Sequence, residues 1–246
     1  MAYQIDLSGK YALVTGGAGG IGYGIACALK QAGAEVTVTA RTSQSVEQCQ
    51  TETPAGPITA LRMDVTNDLS IEEAFEDIDR LDILVNNAGT IIRQGAEFKP
   101  ERFADVVNVN LIGAMRVSHF CLGKLAMTRG SIVNIASMMS LFGAGFAPGY
   151  SASKTGLIGL TRSLAAAWAD QGVRINAIAP GFIRTKMTVP VQEDQTRNAQ
   201  ILARTPMKRW GEPDDIAGAA LFLCSPMAAF VTGATIVVDG GYSITG

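Results

Sequence analysis

Ala12-Leu13-Val14-Thr15-Gly16-Gly17-Ala18-Gly19-Gly20-Ile21-Gly22 sets a glycine-rich turn between a short apolar run and an Ala-rich stretch of helical character. Two registers of a dinucleotide-binding pattern overlap in it, Gly16-x-x-x-Gly20-x-Gly22 and Gly17-x-Gly19-x-x-Gly22. Glycine has no Cβ, so the backbone can approach a pyrophosphate closely. The first turn of the following helix adds free N–H groups and positive potential. Glycine is frequent in this chain, 27 of 246 residues, so the composition of the turn decides little and its place between strand and helix decides much. Gly16, Gly20, Ile21 and Gly22 are therefore candidate cofactor-binding residues.

Outward from this unit, short β-rich runs alternate with helical patterns. Residues 11–15, 35–39, 58–63, 83–85, 131–135, 174–179 and 235–238 read as strands. They are nearly continuously apolar, as a parallel sheet covered on both faces requires. Helical patterns occupy 20–31, 69–77, 100–125, 150–170 and 213–224. The alternation predicts an α/β fold: one Rossmann-type, doubly wound, mostly parallel seven-stranded sheet with helices on both faces, spanning 1–246 as a single domain. The least regular segment, 182–211, has a short helical pattern near 193–203, and its length predicts a lid over a substrate site.

Composition narrows the function. A net charge of −2 and a pI near 5.5 argue against a nucleic-acid partner held by bulk electrostatics. The start, Met1-Ala2-Tyr3-Gln4-Ile5-Asp6, lacks the basic and apolar regions of a signal peptide, and no apolar run reaches the roughly 18 residues of a membrane span. Cys27, Cys49, Cys121 and Cys224 are dispersed, as thiols of a reducing cytoplasm are, and His119 is the single histidine. Little is left from which to build a catalytic zinc site, so no metal is expected. A serine hydrolase is excluded by the lack of a base and of a Gly-x-Ser-x-Gly elbow around Ser137.

At the end of the second strand an acidic residue would bind an adenosine ribose hydroxyl, whereas an arginine can receive a 2′-phosphate. The chain has Thr39-Ala40-Arg41, which leans toward NADP over NAD, although Arg41 also reads as a surface arginine starting a loop. Ser137 closes the strand Ile132-Val133-Asn134-Ile135-Ala136, at the sheet edge where open α/β folds place their ligands. Thirteen residues on, Tyr150-Ser151-Ala152-Ser153-Lys154 spaces a phenol and an ammonium one helical turn apart. A fixed ammonium favours the phenolate and would lower a pKa of about 10 toward the working range. The plainer alternative is a tyrosine at a helix start followed by a solvated lysine.

The glycine turn, Asn86-Asn87-Ala88-Gly89, Asn110, Ser137, Tyr150-x-x-x-Lys154 and Pro180-Gly181 occur in that order. The ordered set resembles the short-chain dehydrogenase/reductase family from about Leu7 to the C-terminus. The resemblance implies a hydride exchange in which Tyr150 transfers the substrate proton and Ser137 orients the substrate oxygen. It assigns Lys154 to the tyrosine and the nicotinamide ribose, and Asn110 to a water in a proton relay. It gives Asp64-Val65 to the adenine, Asn87-Ala88-Gly89 to the adenosine ribose, and Pro180-Gly181, Ile183 and Thr185 to the nicotinamide carboxamide. Asp64 can equally cap the following turn, and Asn86 can be structural. Members that prefer NADP often add a basic residue where this chain has Gly19.

Ala88-Gly89-Thr90-Ile91-Ile92-Arg93, Ile135-Ala136-Ser137-Met138-Met139-Ser140 and Arg197-Asn198-Ala199-Gln200-Ile201-Leu202 resemble the branch of 2-dehydro-3-deoxy-D-gluconate 5-dehydrogenases and gluconate dehydrogenases. So does Arg209-Trp210-Gly211-Glu212-Pro213-Asp214-Asp215. Residues 182–211 hold Arg184, Lys186, Arg197, Arg204, Lys208 and Arg209 against Glu193 and Asp194, which with Arg93 suggests an anionic substrate. A solvated helix face is the alternative for these charges. A 3-oxoacyl-carrier-protein reductase is the rival enzyme, and a non-catalytic cofactor sensor the rival of another class. The family's two-fold interfaces imply a homotetramer, with Gly156, Gly159, Ala165, Ala166 and Ala167 permitting close packing.

Overall fold

Along residues 11–14, Ala12 and Val14 join one hydrophobic cluster and Leu13 the other. Ile83 and Val85 against Leu84, and Val133 against Ile132, divide in the same way. This is the period-two signature of a sheet buried on both faces. The computed structural model describes residues 5–51, 56–76 and 78–245, without the side chains of 50 and 51. Residues 1–4 and Asp77, the expected end of a helix, lie outside the described residues.

Among the described residues the order is β1 (Tyr11–Val14), α1 (Gly20–Gln31), β2 (Glu35–Ala40), α2 (Ser43–Thr51), β3 (Thr59–Arg62), α3 (Asp68–Glu76) and β4 (Ile83–Asn86). There follow α4 (Pro100–Val107), α5 (Gly113–Thr128), β5 (Ser131–Ile135), α6 (Met139–Phe142), α7 (Pro148–Trp168) and β6 (Arg174–Pro180). The chain ends in α8 (Val189–Glu193), α9 (Gln195–Arg204), α10 (Pro213–Cys224) and β7 (Thr235–Val238). The strands form one sheet in the order β3-β2-β1-β4-β5-β6-β7. Every pairing is parallel, so the mostly parallel expectation becomes wholly parallel. The strand order reverses between β1 and β4, and the carboxyl ends there open a crevice for a ligand.

Ile25 and Leu29 of α1 and Ile216, Ala220 and Leu223 of α10 cover one face. Ile71 of α3, Val117, Cys121 and Leu125 of α5, and Leu164 and Trp168 of α7 cover the other. The helical run Pro100–Thr128 is long and apolar enough, by composition, to cross a membrane. Its buried Val106, Ala114, Val117, Cys121 and Leu125 instead recur at the spacing of a helix laid on a sheet. The run expected at 100–125 is interrupted by a π-turn at Asn108–Ile112. The segment 182–211 leaves the sheet after β6 and returns to its own start. Gly211 N donates to Phe182 O at 2.9 Å, and Arg184 N to Gly211 O at 2.8 Å.

Candidate active site

The turn after β1 is locked by one side chain from the neighbouring strand's end. Asn87 Nδ2 donates to Thr15 O and Gly16 O, both at 3.0 Å. The Thr15 hydroxyl accepts from Asn87 N and Ala88 N, also at 3.0 Å. Gly16 has φ +62°, and a Cβ there would stand 2.9 Å from Ala88 Cα. A Cβ at Gly22 would collide with the Asn87 carboxamide. The lack of a side chain at Gly22 therefore lets α1 close on Asn87. Gly19 caps α1 without a side-chain hydrogen bond and the first turn carries no acid, so its N–H groups stay open to an anion.

Gly16, Gly20, Ile21, Asn87, Ala88 and Gly89 line a cavity of about 320 Å³. Ser137, Tyr150, Lys154, Pro180, Gly181, Ile183 and Thr185 complete its expected wall. A second lobe of about 500 Å³ holds Arg41, Asp64 and Val65. Both contain Gly16, Ala88 and Gly89, so the two lobes share a wall as the halves of a dinucleotide site would. Asp64 lines this lobe and also holds the following turn. Its Oδ1 accepts from Thr66 N (2.9 Å) and Thr66 Oγ1 (2.7 Å), while the residue faces the lobe. Burial pushes its carboxyl up, but the Thr66 hydrogen bonds and the charges of Arg41 and Arg62 hold it below the usual value. Arg41 is exposed and makes no ion pair among the described residues. A glycine turn without side chains, an open helix N-terminus and a free arginine at the end of β2 fit a dinucleotide phosphate chain.

At the reaction end, Lys154 is 4% exposed and its Nζ donates to Ile135 O at 2.6 Å. The ammonium lies 5.8 Å from the Tyr150 ring centroid, on the shared helix face that the spacing implies. Burial pushes the Lys154 amine down to about 8. The expected lowering of the Tyr150 pKa is corrected. Burial raises the phenol above its ordinary value, the Ser137 hydroxyl pulls it down as a hydrogen-bond partner, the Glu97 charge raises it and Arg93 lowers it. A neutral phenol beside a serine hydroxyl is arranged to donate a proton. Ser137 Oγ also accepts from Met139 N at 3.2 Å, so it serves the turn into α6 as well.

Asn110 sits in the π-turn, 1% exposed, and lines no described cavity. Its Oδ1 accepts from Thr90 N (2.7 Å), and its Nδ2 donates to Thr90 O (2.9 Å) and to Ser153 Oγ (3.0 Å). The side chain thereby ties the loop after β4 to α7. Asn86 is structural, through side chains rather than backbone. Its Nδ2 reaches Ser118 Oγ and Asn134 Oδ1, both at 2.9 Å.

A third cavity, of about 390 Å³, shares Ser137, Tyr150, Gly181, Met187 and Thr188 with the first. Arg93, Arg197 and Arg204 line it, and no aspartate or glutamate does. The basic residues of 182–211 therefore separate. Arg184 pairs with Glu212 at 3.0 Å, Arg209 with Asp215 at 2.6 Å, and Lys208 donates to Ala203 O at 2.7 Å. Lys186 faces the cofactor lobe instead. The six charges counted in the sequence thus reduce to two of that segment on this cavity.

Sequence reasoning missed Glu97, Phe146 and Tyr242. Glu97 is 1% exposed and accepts from Ile92 N (2.8 Å) and Tyr150 N (2.9 Å), fixing the start of the tyrosine helix. Nothing in Ala96-Glu97-Phe98 marks that role locally, because both partners come from other segments. The helical spacing of 197, 200, 201 and 204 was a usable signal for the cavity-facing stripe.

A family model described as enoyl-(acyl carrier protein) reductase matches residues 16–243. The chain is 43% identical to the 2-dehydro-3-deoxy-D-gluconate 5-dehydrogenase of Bacillus subtilis, over 98% of this chain and 99% of that one. It is 39% identical to a 3-oxoacyl-[acyl-carrier-protein] reductase of Vibrio cholerae, over 96% of this chain and 98% of that one. A gluconate 5-dehydrogenase from Burkholderia cenocepacia J2315, solved in complex with NADP and tartrate, superposes with a TM-score of 0.90 at 31% identity, over 99% of this chain and 98% of that one. With the glycine turn, the Ser137–Tyr150–Lys154 arrangement and the wholly parallel sheet, these likenesses show that the chain belongs to the short-chain dehydrogenase/reductase family, oxidoreductases that act on CH–OH groups.

Proposed function

We propose that the protein interconverts a secondary alcohol and a ketone on a small anionic sugar derivative, a sugar acid or keto-uronate, with NADP preferred over NAD. The observation that carries the reading is the cavity beside Ser137 and Tyr150, which three arginines line and no acidic residue does. In a chain of net charge −2 such a concentration of positive charge favours an anion. The tartrate-bound relative, with a hydroxy-dicarboxylate in its complex, supports the same chemistry.

Gly16, Gly20 and Ile21 with the open first turn of α1 would hold the pyrophosphate, and Asp64 and Val65 the adenine. Asn87, Ala88 and Gly89 would flank the adenosine ribose, with Arg41 against a 2′-phosphate. Lys154 would meet the nicotinamide ribose, and Pro180, Gly181, Ile183 and Thr185 the carboxamide. When bound, the dinucleotide supplies or receives the hydride at its nicotinamide carbon. Ser137 holds the substrate oxygen toward the phenol. In the reducing direction the Tyr150 hydroxyl gives its proton to the oxygen of the new alcohol; in the oxidising direction the phenolate removes it. Residues 182–211 act as a lid, with Met187 and Thr188 facing both the cofactor and substrate cavities. Asn110 supports the site by holding Thr90 and Ser153 together.

The enzyme is further proposed to be a cytoplasmic homotetramer. Along α7, Gly159 has open space beside it and Ala166 and Ala167 are exposed, whereas Gly156 and Ala165 pack inward. A light-scattering mass near the 25.8 kDa of one chain would refute the oligomer.

The likeness to the Vibrio cholerae reductase favours a second reading, reduction of a 3-oxoacyl thioester. A panel of hexonates, deoxy-ketohexonates, neutral polyols and acetoacetyl thioesters, followed by nicotinamide absorbance, decides between them. Hexonates or deoxy-ketohexonates should have the highest kcat/KM. Faster turnover of the thioester than of every sugar acid would replace the reading, and a polyol preference would reduce the arginines to a solvated face.

A further inference from the structure

α9 turns one stripe toward the third cavity: Arg197, Gln200, Ile201 and Arg204, at i, i+3, i+4 and i+7. Ile201 is buried with Val191 and Trp210, and Trp210 Nε1 donates to Asn198 Oδ1 at 2.8 Å. These contacts set the roll of the helix, and the roll aims the two arginines. Each guanidinium carbon sits over an aromatic ring. Arg197 lies 5.3 Å from the Phe146 centroid, and Arg204 lies 4.3 Å from that of Tyr242 and 5.4 Å from that of Phe142. Arg204 Nε also donates to Thr245 O at 3.2 Å. A guanidinium over a ring keeps further N–H groups free for another partner. Among the described residues neither arginine has a carboxylate partner, in contrast to Arg184 and Arg209 on the same excursion.

Resting on the anionic-substrate reading above, we propose that Arg197 and Arg204 form a two-arginine clamp for the substrate carboxylate, with Gln200 between them to meet a hydroxyl. Arg93 has a different task. Its guanidinium donates to Met187 O at 2.8 Å and ties the loop after β4 to the excursion. Two guanidinium groups facing one cavity from the same helix would give a carboxylate several charge-assisted hydrogen bonds, which a neutral polyol cannot reproduce.

The test uses the cofactor-loaded enzyme and compares a hexonate with the polyol of the same carbon skeleton. Unmodified protein, Arg197→Ala, Arg204→Ala and Arg204→Lys are assayed, with tartrate titrated as a competitive inhibitor. Each alanine variant should raise KM for the hexonate about tenfold or more, the worth of a charge-assisted hydrogen bond, with kcat within about threefold. The tartrate inhibition constant should rise in parallel, while KM for the polyol and the cofactor Kd stay unchanged. Arg204→Lys keeps the charge but loses the fork, and should fall between the unmodified and alanine forms. Hexonate KM within twofold of the unmodified enzyme in both alanine variants overturns the clamp and leaves the sugar-acid reading standing. Equal losses for hexonate and polyol make the arginines structural and also overturn it. If the unmodified enzyme does not prefer the hexonate to the polyol, the sugar-acid reading itself fails and takes the clamp with it.

Discussion

The turn after β1 and the excursion 182–211 both border the cofactor cavity, but they are built by different means. In the turn, backbone sterics dominate. Glycine at 16 and 22 is required by the Cα of Ala88 and the carboxamide of Asn87, whose Nδ2 donates to two backbone oxygens. In the excursion, side-chain partners decide. The same residue type, arginine, is paired at 184 and 209 and carboxylate-free at 197 and 204. A site written in backbone geometry can be read from residue order. A site written in side-chain partnerships waits for the fold to say who meets whom.

The largest expected effect falls where the two regions meet. Tyr150→Phe should lower kcat by about a hundred- to ten-thousandfold, the range for a positioned acid–base group, and leave cofactor Kd within a few-fold. Retention of more than about a tenth of the activity would remove the phenol from proton transfer.

Lys154 gives the next largest effect, on stability. Its folded value of about 8 lies below the free value of 10.5. Between those values the unfolded chain holds the proton and the folded chain does not, so stability rises with pH through that window. The penalty is present in full below the folded value and is relieved on passing the free one. Denaturant unfolding at pH 7.5 and pH 10 should show the unmodified protein gaining roughly 2–3 kcal/mol relative to Lys154→Met. A difference between the two proteins that does not change with pH would contradict burial as the cause.

On the cofactor side, Arg41→Ala should weaken NADP binding by roughly 1.5–3 kcal/mol, as for a lost charge-assisted hydrogen bond, and barely alter NAD. Equal losses, read as Kd by nucleotide titration, would mean that Arg41 does not meet a 2′-phosphate. That result would also blur the contrast between the two regions, since Arg41 is a side-chain reader set beside a backbone cradle.

The strands were legible in the sequence because short apolar runs alternate with helical spacing, and each run lands on a strand. Ser137, Tyr150 and Lys154, close in sequence, line one cavity in the structure. Three features were not legible. Gly22 also packs against the carboxamide of Asn87, which the glycine pattern alone does not show. Asn110 also ties Thr90 to Ser153 through its carboxamide, a role its place in the sequence does not show. The phenol pKa was inferred from one neighbour at helical spacing, whereas burial and Glu97, 53 positions away in sequence, push it the other way. In each case the deciding partner is distant along the chain.

The smallest expected effect is also the sharpest test of the comparison. Arg184 and Glu212 are both about half exposed and meet at 3.0 Å, and Arg184 Nη1 donates to Gln192 Oε1 at 3.3 Å. Exposed ion pairs contribute little, because water screens the attraction and two long side chains must be held still. Arg184 lines neither the cofactor cavity nor the arginine-rich one. Arg184→Ala should therefore leave kcat, hexonate KM and cofactor Kd within about twofold, the scale of an exposed pair. It removes the same formal charge from the same excursion as Arg197→Ala, so net charge alone cannot separate the two variants. If Arg184→Ala raises hexonate KM as much as Arg197→Ala does, the anion preference comes from the summed field of the excursion, and the sorting of its arginines into paired and unpaired has no functional meaning. If only Arg197→Ala does so, partnership rather than charge count identifies the residues that meet the substrate.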